Sequence, residues 1–375
     1  MEVLYQRCTG IDVSKHDGKV CVRIQGSGRR PTSSEVTTWG STTGQILALR
    51  DYLTAAEVDA VVIESTGAYW KPFYYLLEDD VNLILVNARE AKTVPGRKTD
   101  VADAAWLADL GAHGLVRASF VPPPPIRELR DLTRLRTTVL RDRGREWQRL
   151  EKLLEDAQIK LSSVVSDLAG VSSRAILEAM ISGQTDPERL ARLARGKLKV
   201  KRHQLVEALT GRFNDHHRFL ARLHLSRIDA HTANAAELEA AIEQAMVPFH
   251  AARDLLCSIP GIDAVIANVI IAETGADMTV FPTAAHLCAW AGTSPGLHQS
   301  AGHNVPVKTR HGNTHLKAAL GMAAFTIAKQ HDSYLSARYR RLVARRGMKR
   351  AGCRFCQVRR RAHGCVPLAG AGSSC

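Results

Sequence analysis

No run of apolar residues in this chain approaches the roughly 20 needed to span a bilayer, so a membrane-spanning role is not expected. Residues 1–10 also lack the basic-then-apolar pattern of a secretion signal. The 8 cysteines are scattered at Cys8, Cys21, Cys257, Cys288 and four positions from Cys353 onward, which is no disulfide framework for 375 residues. Reduced thiols in a cytoplasm are the expectation. Negative charge is also scarce. The chain carries 37 acids against 51 lysines and arginines, for a net charge of +14, and no acid follows Asp332. Such an excess points to a polyanionic partner, most simply nucleic acid.

The sequence has 45% hydrophobic residues over a length sufficient for two or three domains with real cores. Residues 8–14 (CTGIDVS) read as a short apolar strand, and residues 19–24 (KVCVRI) alternate and would pair with it through an Asp17-Gly18 turn. A helix over 42–56, a buried strand over 59–65, a helix over 70–77 and a buried strand over 82–87 follow. This order predicts an α/β domain with a mixed sheet.

Two of these strands end in acids, Asp12 and Glu64. A carboxylate buried without a partner costs several kcal/mol, on the order of the desolvation of one ion. Asp100 and Asp103 sit three residues apart at the start of a helix over 100–110, which places both on one face. Each acid has a plain structural explanation: a turn at Asp12, an ion pair from Glu64 to Lys71, helix capping at Asp100 and Asp103. Four in this order point instead to one pocket holding Mg²⁺ or Mn²⁺, hard ions that take oxygen ligands. Two such ions can clamp the attacking and leaving oxygens of a phosphoryl transfer.

The blocks Gly10-Ile11-Asp12-Val13-Ser14-Lys15, Glu64-Ser65-Thr66-Gly67 and Lys98-Thr99-Asp100-Val101-Ala102-Asp103-Ala104 together resemble the DEDD signature of insertion sequence 110 family transposases. The resemblance implies a RuvC-like, ribonuclease-H-like N-terminal domain over residues 1–120 whose metal ligands are Asp12, Glu64, Asp100 and Asp103.

The proline run at 121–125 marks a boundary. Beyond it, Trp147, Leu150, Leu154, Ala157, Leu161, Val164 and Leu168 fall at heptad spacing. A second helical stretch over 202–246 would pack back antiparallel. The arginines from Arg127 to Arg149, Arg130 and Arg134 among them, read either as a solvated face paired to Glu128, Asp131 and Glu146 or as a phosphate-contacting row. In the resembled family this middle region, 126–250, is a coiled coil used in oligomerisation and RNA binding.

Residues 255–273 (LLCSIPGIDAVIANVIIAE) read as helix, Pro-Gly turn, helix, the pattern of a helix-hairpin-helix whose second helix meets phosphate at its N-terminus. Downstream, Ser294-Pro295, Ser300-Ala301-Gly302, Gly312-Asn313 and Leu316-Lys317 resemble the C-terminal transposase domain of the same family, here over 251–350. The resemblance implies that Ser300 is the nucleophile, with Ser294 a weaker candidate. Here Ala301 intervenes where the family has Ser-Gly, and Lys317 stands where arginine is common. Lys98, Arg130, Arg134, Lys308, Arg310 and Lys317 are the expected nucleic-acid contacts. Residues 351–375 form a basic, irregular tail that departs from the family's apolar continuation. Cys353, Cys356, His363 and Cys365 there are of zinc-ligand type, without a core pattern around them.

Taken together, the expected fold is an α/β N-terminal domain, a long helical middle and a mainly α C-terminal domain. The expected function is a recombinase of an insertion element, a homo-oligomer guided by an element-encoded RNA. A RuvC-like nuclease that hydrolyses DNA without Ser300 is the main alternative. An actin-fold sugar or acetate kinase, whose first strand also resembles residues 10–14, and a non-enzymatic nucleic-acid binder are the others.

Overall fold

The computed structural model describes residues 2–87, 100–294, 299–300, 303–304, 311–329 and 334–347. Lys98, Lys308, Arg310 and the cysteine-bearing tail lie outside them. The chain divides into two compact units, Met1–Val121 and Pro122–Cys375, each described here by itself.

The first unit is built on five strands: β1 (Arg7–Val13), β2 (Asp17–Ile24), β3 (Ser33–Gly40), β4 (Ala60–Glu64) and β5 (Leu83–Val86). Their order is β3-β2-β1-β4-β5. The first three neighbours pair antiparallel and β1, β4 and β5 run parallel, giving the mixed α/β sheet that was expected. Helices α1 (Thr43–Ala55) and α2 (Trp70–Leu77) cover one face, and α3 (Asp100–Ala112) covers the other. Ile11, Ile63, Ile46, Leu49, Phe73 and Leu77 fill the first interface without exposure, each contributing about 1.5–3 kcal/mol by leaving water.

Two details differ from the sequence reading. Asp17 and Gly18 are not the hairpin turn but the first residues of β2, with Val13 facing Gly18. Ser14 makes the turn instead. Its hydroxyl donates to Asp17 Oδ1 at 2.6 Å and accepts from the backbone amides of His16 and Asp17. Strand β3 was not anticipated. It is a largely exposed edge strand, so it lacks the apolar run that marks its neighbours.

The second unit is mostly helical. Helix α4 (Pro124–Asp156) has 33 residues, about 50 Å at 1.5 Å per residue. It starts with prolines, which tolerate the first turn because their missing N–H is unneeded there. Short helices α5 (Leu161–Val164), α6 (Val171–Ile181), α7 (Pro187–Ala191) and α8 (Arg202–Ala208) precede the long α9 (Asp215–Ala245). Helix α9 returns antiparallel along α4: Ile242 and Met246 meet Ile126 and Leu129 at one end, and Ala221 and Leu225 share a core with Leu150 and Leu154 at the other. The returning helix was expected from residue 202, but it begins at Asp215. Asn214 caps it by accepting from the His217 amide.

The heptad seam expected over 147–168 does not run along one helix. Helix α4 ends at Asp156, and Gln158 takes a left-handed φ of 61°. Leu150, Leu154, Ala157 and Leu161 instead close a core with Ile176, Leu177, Leu190 and Leu205 of the short helices. Seven-residue spacing cannot tell a core that turns a corner from one that runs straight.

Farther along lie α10 (His250–Cys257), α11 (Ala264–Thr274), α12 (Ala284–Trp290), the two-residue strands β6 (Gln299–Ser300) and β7 (His303–Asn304), α13 (Thr314–Ala328) and α14 (Tyr334–Arg346). The Pro-Gly turn between α10 and α11 sits against α13. Gly261 has φ 79°, and a side chain there would meet Ile327 at 2.6 Å and the Ala323 carbonyl at 2.9 Å. One amide at the start of α11, that of Ile266, is already taken by the Asp263 side chain at 2.8 Å. No described helix is long and apolar enough to cross a membrane.

Candidate metal site and serine hairpin

Asp12 lies near the end of β1 and Glu64 ends β4. Ile11 faces Ile63 in the parallel register, so Asp12 and Glu64 come next, side by side. Alternation along each strand puts them on the face of Cys8, Gly10 and Val62, the face that α3 covers. Glu64 is 8% exposed and accepts from the Thr66 hydroxyl at 3.2 Å. Asp12 is half-buried, opposite Lys19 of β2.

Helix α3 lies on this face at backbone contact. A side chain on Gly10 would meet the Ala104 carbonyl oxygen at 2.1 Å and the Ala108 nitrogen at 2.4 Å. One on Gly111 would meet Val62 at 2.4 Å and the Cys8 sulfur at 2.8 Å. The helix therefore runs opposite to β1: Gly111 sits over Cys8, Ala104 over Gly10, and the acid-bearing end points toward Asp12 and Glu64. Buried Arg23 of β2 donates to Asp109 of α3 at 3.1 Å and fastens the helix to the sheet. Asp103, half-buried, thus lies on the end of α3 that points toward the strand ends carrying Asp12 and Glu64. The backbone of Asp100 opens the same helix.

The donor chemistry fits a hard divalent cation, because Asp12, Glu64 and Asp103 each offer carboxylate oxygens. Cys8, four residues before Asp12 on β1, lies under Gly111 at the other end of α3; burial pushes its thiol up to about 12, with the Arg23 charge opposing. Among the described residues no group of three His, Cys, Asp or Glu side chains closes into a ready metal cage. Asp12, Glu64 and Asp103 are all described and do not form such a group by themselves, while the Asp100 side chain is outside that description.

In the second unit, Ser300 ends β6 and pairs with His303 of β7 in an antiparallel ribbon. The segment that carries it is pinned at both ends. Buried Thr293 donates its hydroxyl and its amide to the Cys288 carbonyl. Gly312 packs on Gly292 so closely that a side chain would lie 2.2 Å from the Gly292 nitrogen. Asn313 follows, donating its amide to Trp290 O at 3.3 Å and capping α13 by accepting from the Leu316 amide at 3.0 Å. Lys317 is half-buried on the first turn of α13, and Ser294 is half-buried at the start of the segment.

Arg130 and Arg134 have an internal partner that the sequence did not reveal. Glu273, at 0% exposure in the last turn of α11, accepts from Arg134 Nε and Nη2, each at 2.8 Å, and from the Asn313 side-chain amide at 2.5 Å. Arg130 donates to the Ala272 and Glu273 carbonyls at 3.0 and 2.8 Å. Burial pushes the Glu273 carboxyl up, but the hydrogen bonds from Arg134 and Asn313 and the two arginine charges outweigh it and hold it below its ordinary range. Burial, followed by the charge of Arg134, holds His315 low, with Arg141 adding to the effect and Glu273 opposing it. Glu146, which the sequence offered as a partner for this row, is buried against His224 and Arg149.

Sequence reasoning missed Glu273, which sits in a mostly apolar helix, and it missed Gly10 and Gly111. A signal for the glycines existed. Ala104, Ala108 and Gly111 fall at i, i+4 and i+7, a small-residue stripe on the helix that carries the acids.

A DEDD transposase family model of IS110 matches residues 9–159, and a second model, described as transposase IS116/IS110/IS902 family, matches residues 253–340. The chain belongs to the IS110 family of transposases. The first match spans all four acids and the second spans Ser300, Glu273 and Asn313. A Streptomyces coelicolor protein described as an insertion element IS110 uncharacterized 43.6 kDa protein is 39% identical over 92 residues, which is 24% of this chain and 22% of that protein's length. A solved Thermus thermophilus RuvC structure covers 30% of this chain and 98% of its own, at 13% identity and a TM-score of 0.24. That likeness is too slight to carry a fold assignment.

Proposed function

We propose that this IS110-family chain cuts and rejoins the DNA of an insertion element, with Asp12, Glu64, Asp100 and Asp103 as ligands for Mg²⁺ or Mn²⁺ and Ser300 as the nucleophile. The observation that carries the reading is the register that sets Asp12 beside Glu64 under a helix whose acid-bearing end is driven toward them by Gly10. The mixed sheet is in keeping with a ribonuclease-H-like domain. Divalent metal held there would neutralise phosphate charge during transfer.

In the chemical step, the Ser300 hydroxyl releases its proton and its oxygen bonds to phosphorus. The bond from phosphorus to the leaving strand oxygen breaks, and that oxygen takes up a proton. A phosphoserine ester remains, and attack by another strand's hydroxyl on that ester rejoins DNA and frees the serine. Lys98, Lys308, Arg310 and Lys317 would hold phosphates. An element-encoded guide RNA would choose the DNA, and the long α4–α9 pair would serve a homo-oligomer, as a coiled coil between copies. The helical hairpin α10–α11 would add a phosphate contact through the free amides at the start of α11.

The test is a denaturing gel after incubation with labelled DNA carrying the abutted element ends, Mg²⁺ and RNA transcribed from the sequence flanking the gene. A covalent adduct that disappears in Ser300→Ala and in Asp12→Asn supports the reading. Cleavage without adduct, unchanged by Ser300→Ala, replaces it with a metal-dependent nuclease. That second reading is favoured by one feature: the strand register and the Gly10 contact that bring the acid-bearing elements together lie wholly within the first unit.

A further inference from the structure

Glu273 is a fully buried carboxylate that the proposed chemistry does not use. An ionised group at such depth is costly unless its partners are fixed, and breaking one partner exposes the whole penalty. Its partners come from two separate stretches: Arg130 and Arg134 from the long α4, and Asn313 from the downstream end of the Ser300-bearing segment. Asn313 is bound twice, to Glu273 by its side-chain amide and to the Leu316 amide by its side-chain oxygen. One residue earlier, Gly312 lies against Gly292, the opposite end of the same segment. The stem of the serine segment is thus tied to a buried charge, not merely to apolar packing.

We propose that Glu273 is a positioning residue for the Ser300 segment, acting through Asn313, with Arg130 and Arg134 holding its charge in place. This rests on the proposed role of Ser300. Its consequence is that α4 and the serine segment share one electrostatic anchor. The two arginines that look from sequence like phosphate contacts serve geometry instead.

Asn313→Ser keeps a cap acceptor at the start of α13 but cannot reach Glu273 with an amide. Asn313→Asp keeps the cap and sets a carboxylate against a carboxylate. The double variant Glu273→Gln with Asn313→Asp restores a hydrogen bond in the reverse direction, with the same formal charge.

The full chain is assayed with abutted-end DNA, Mg²⁺ and flanking RNA for three quantities: DNA dissociation constant, thermal midpoint, and adduct-formation rate at saturating DNA. A positioning role predicts a rate lower by about 10- to 100-fold in both single variants, as misplacement near 1 Å produces. DNA affinity is held in Asn313→Ser, and the double variant recovers at least about tenfold of the rate lost by Asn313→Asp. A rate within about twofold of the parent in Asn313→Ser overturns the inference, as does a loss of DNA affinity equal to the loss of rate. Ser300→Ala runs alongside. If its adduct persists, the serine reading itself has failed; if its adduct vanishes while Asn313→Ser is unaffected, only the positioning role has failed.

Discussion

The backbone carbonyl of Ala104 lies where a methyl group on Gly10 would have to be, 2.1 Å from the position of its carbon. Both atoms that crowd Gly10 most are backbone, so no side-chain rotation relieves the clash. Gly10→Ala should therefore lift α3 from the sheet and withdraw Asp103 from Asp12 and Glu64. The expected outcome is loss of Mg²⁺-dependent DNA cleavage, with destabilisation of about 1–3 kcal/mol or more in a thermal melt. Full cleavage in Gly10→Ala would show that α3 does not deliver the acids.

Acid sensitivity should trace to Glu273. Its carboxyl is held below the ordinary range, so it adds stability that is present above its unfolded value and is lost as pH falls through the folded one. The thermal midpoint of the second unit should hold from neutral pH down to about pH 5, then fall below about 4.3, where an unfolded glutamate begins to keep its proton. Glu273→Gln should blunt that fall. Glu273→Ala should cost about 3–5 kcal/mol, because two arginines lose their buried counter-charge.

Gln158 is a place where stability can be gained. Its φ of 61° places a side chain where L-residues pay about 1–2 kcal/mol, and Gly lacks that penalty. Gln158→Gly should raise the thermal midpoint or leave it level, since the strain relieved opposes the added freedom of the unfolded chain. A drop of several degrees would mean that the Gln158 side chain does something the backbone geometry does not show.

DNA binding should weaken steeply with salt, in line with the net charge of +14. Arg130→Ala should lower thermal stability while leaving the salt slope unchanged, because its guanidinium is committed to the Ala272 and Glu273 carbonyls. Lys308→Ala should do the reverse, reducing the slope by about one unit. Titration of DNA binding at several salt concentrations, with a melt of each variant, separates the two.

These contrasts mark what the sequence could and could not reveal. The parallel strands were legible because both their faces are covered, which leaves an unbroken apolar run in Ala60–Glu64. Helix α2 was legible from spacing: Trp70, Phe73, Tyr74 and Leu77 recur on one face. The acids stood out because carboxylates rarely follow such runs. Edge strand β3 carried no comparable pattern. The turn at Ser14 was hidden because a side-chain hydroxyl, not a glycine, makes it. Arg130 and Arg134 could be counted as charges, but their partner is about 140 residues away in sequence, a separation that no local spacing encodes.

The contact of Gly292 with Gly312 also has a consequence for engineering. Two chain points in backbone contact form a socket, and whatever joins them adds only slowly to the entropy of closure as it lengthens. The serine segment is in this sense a cassette. A change in its length should leave the junction itself in place, provided both glycines and Asn313 travel unchanged.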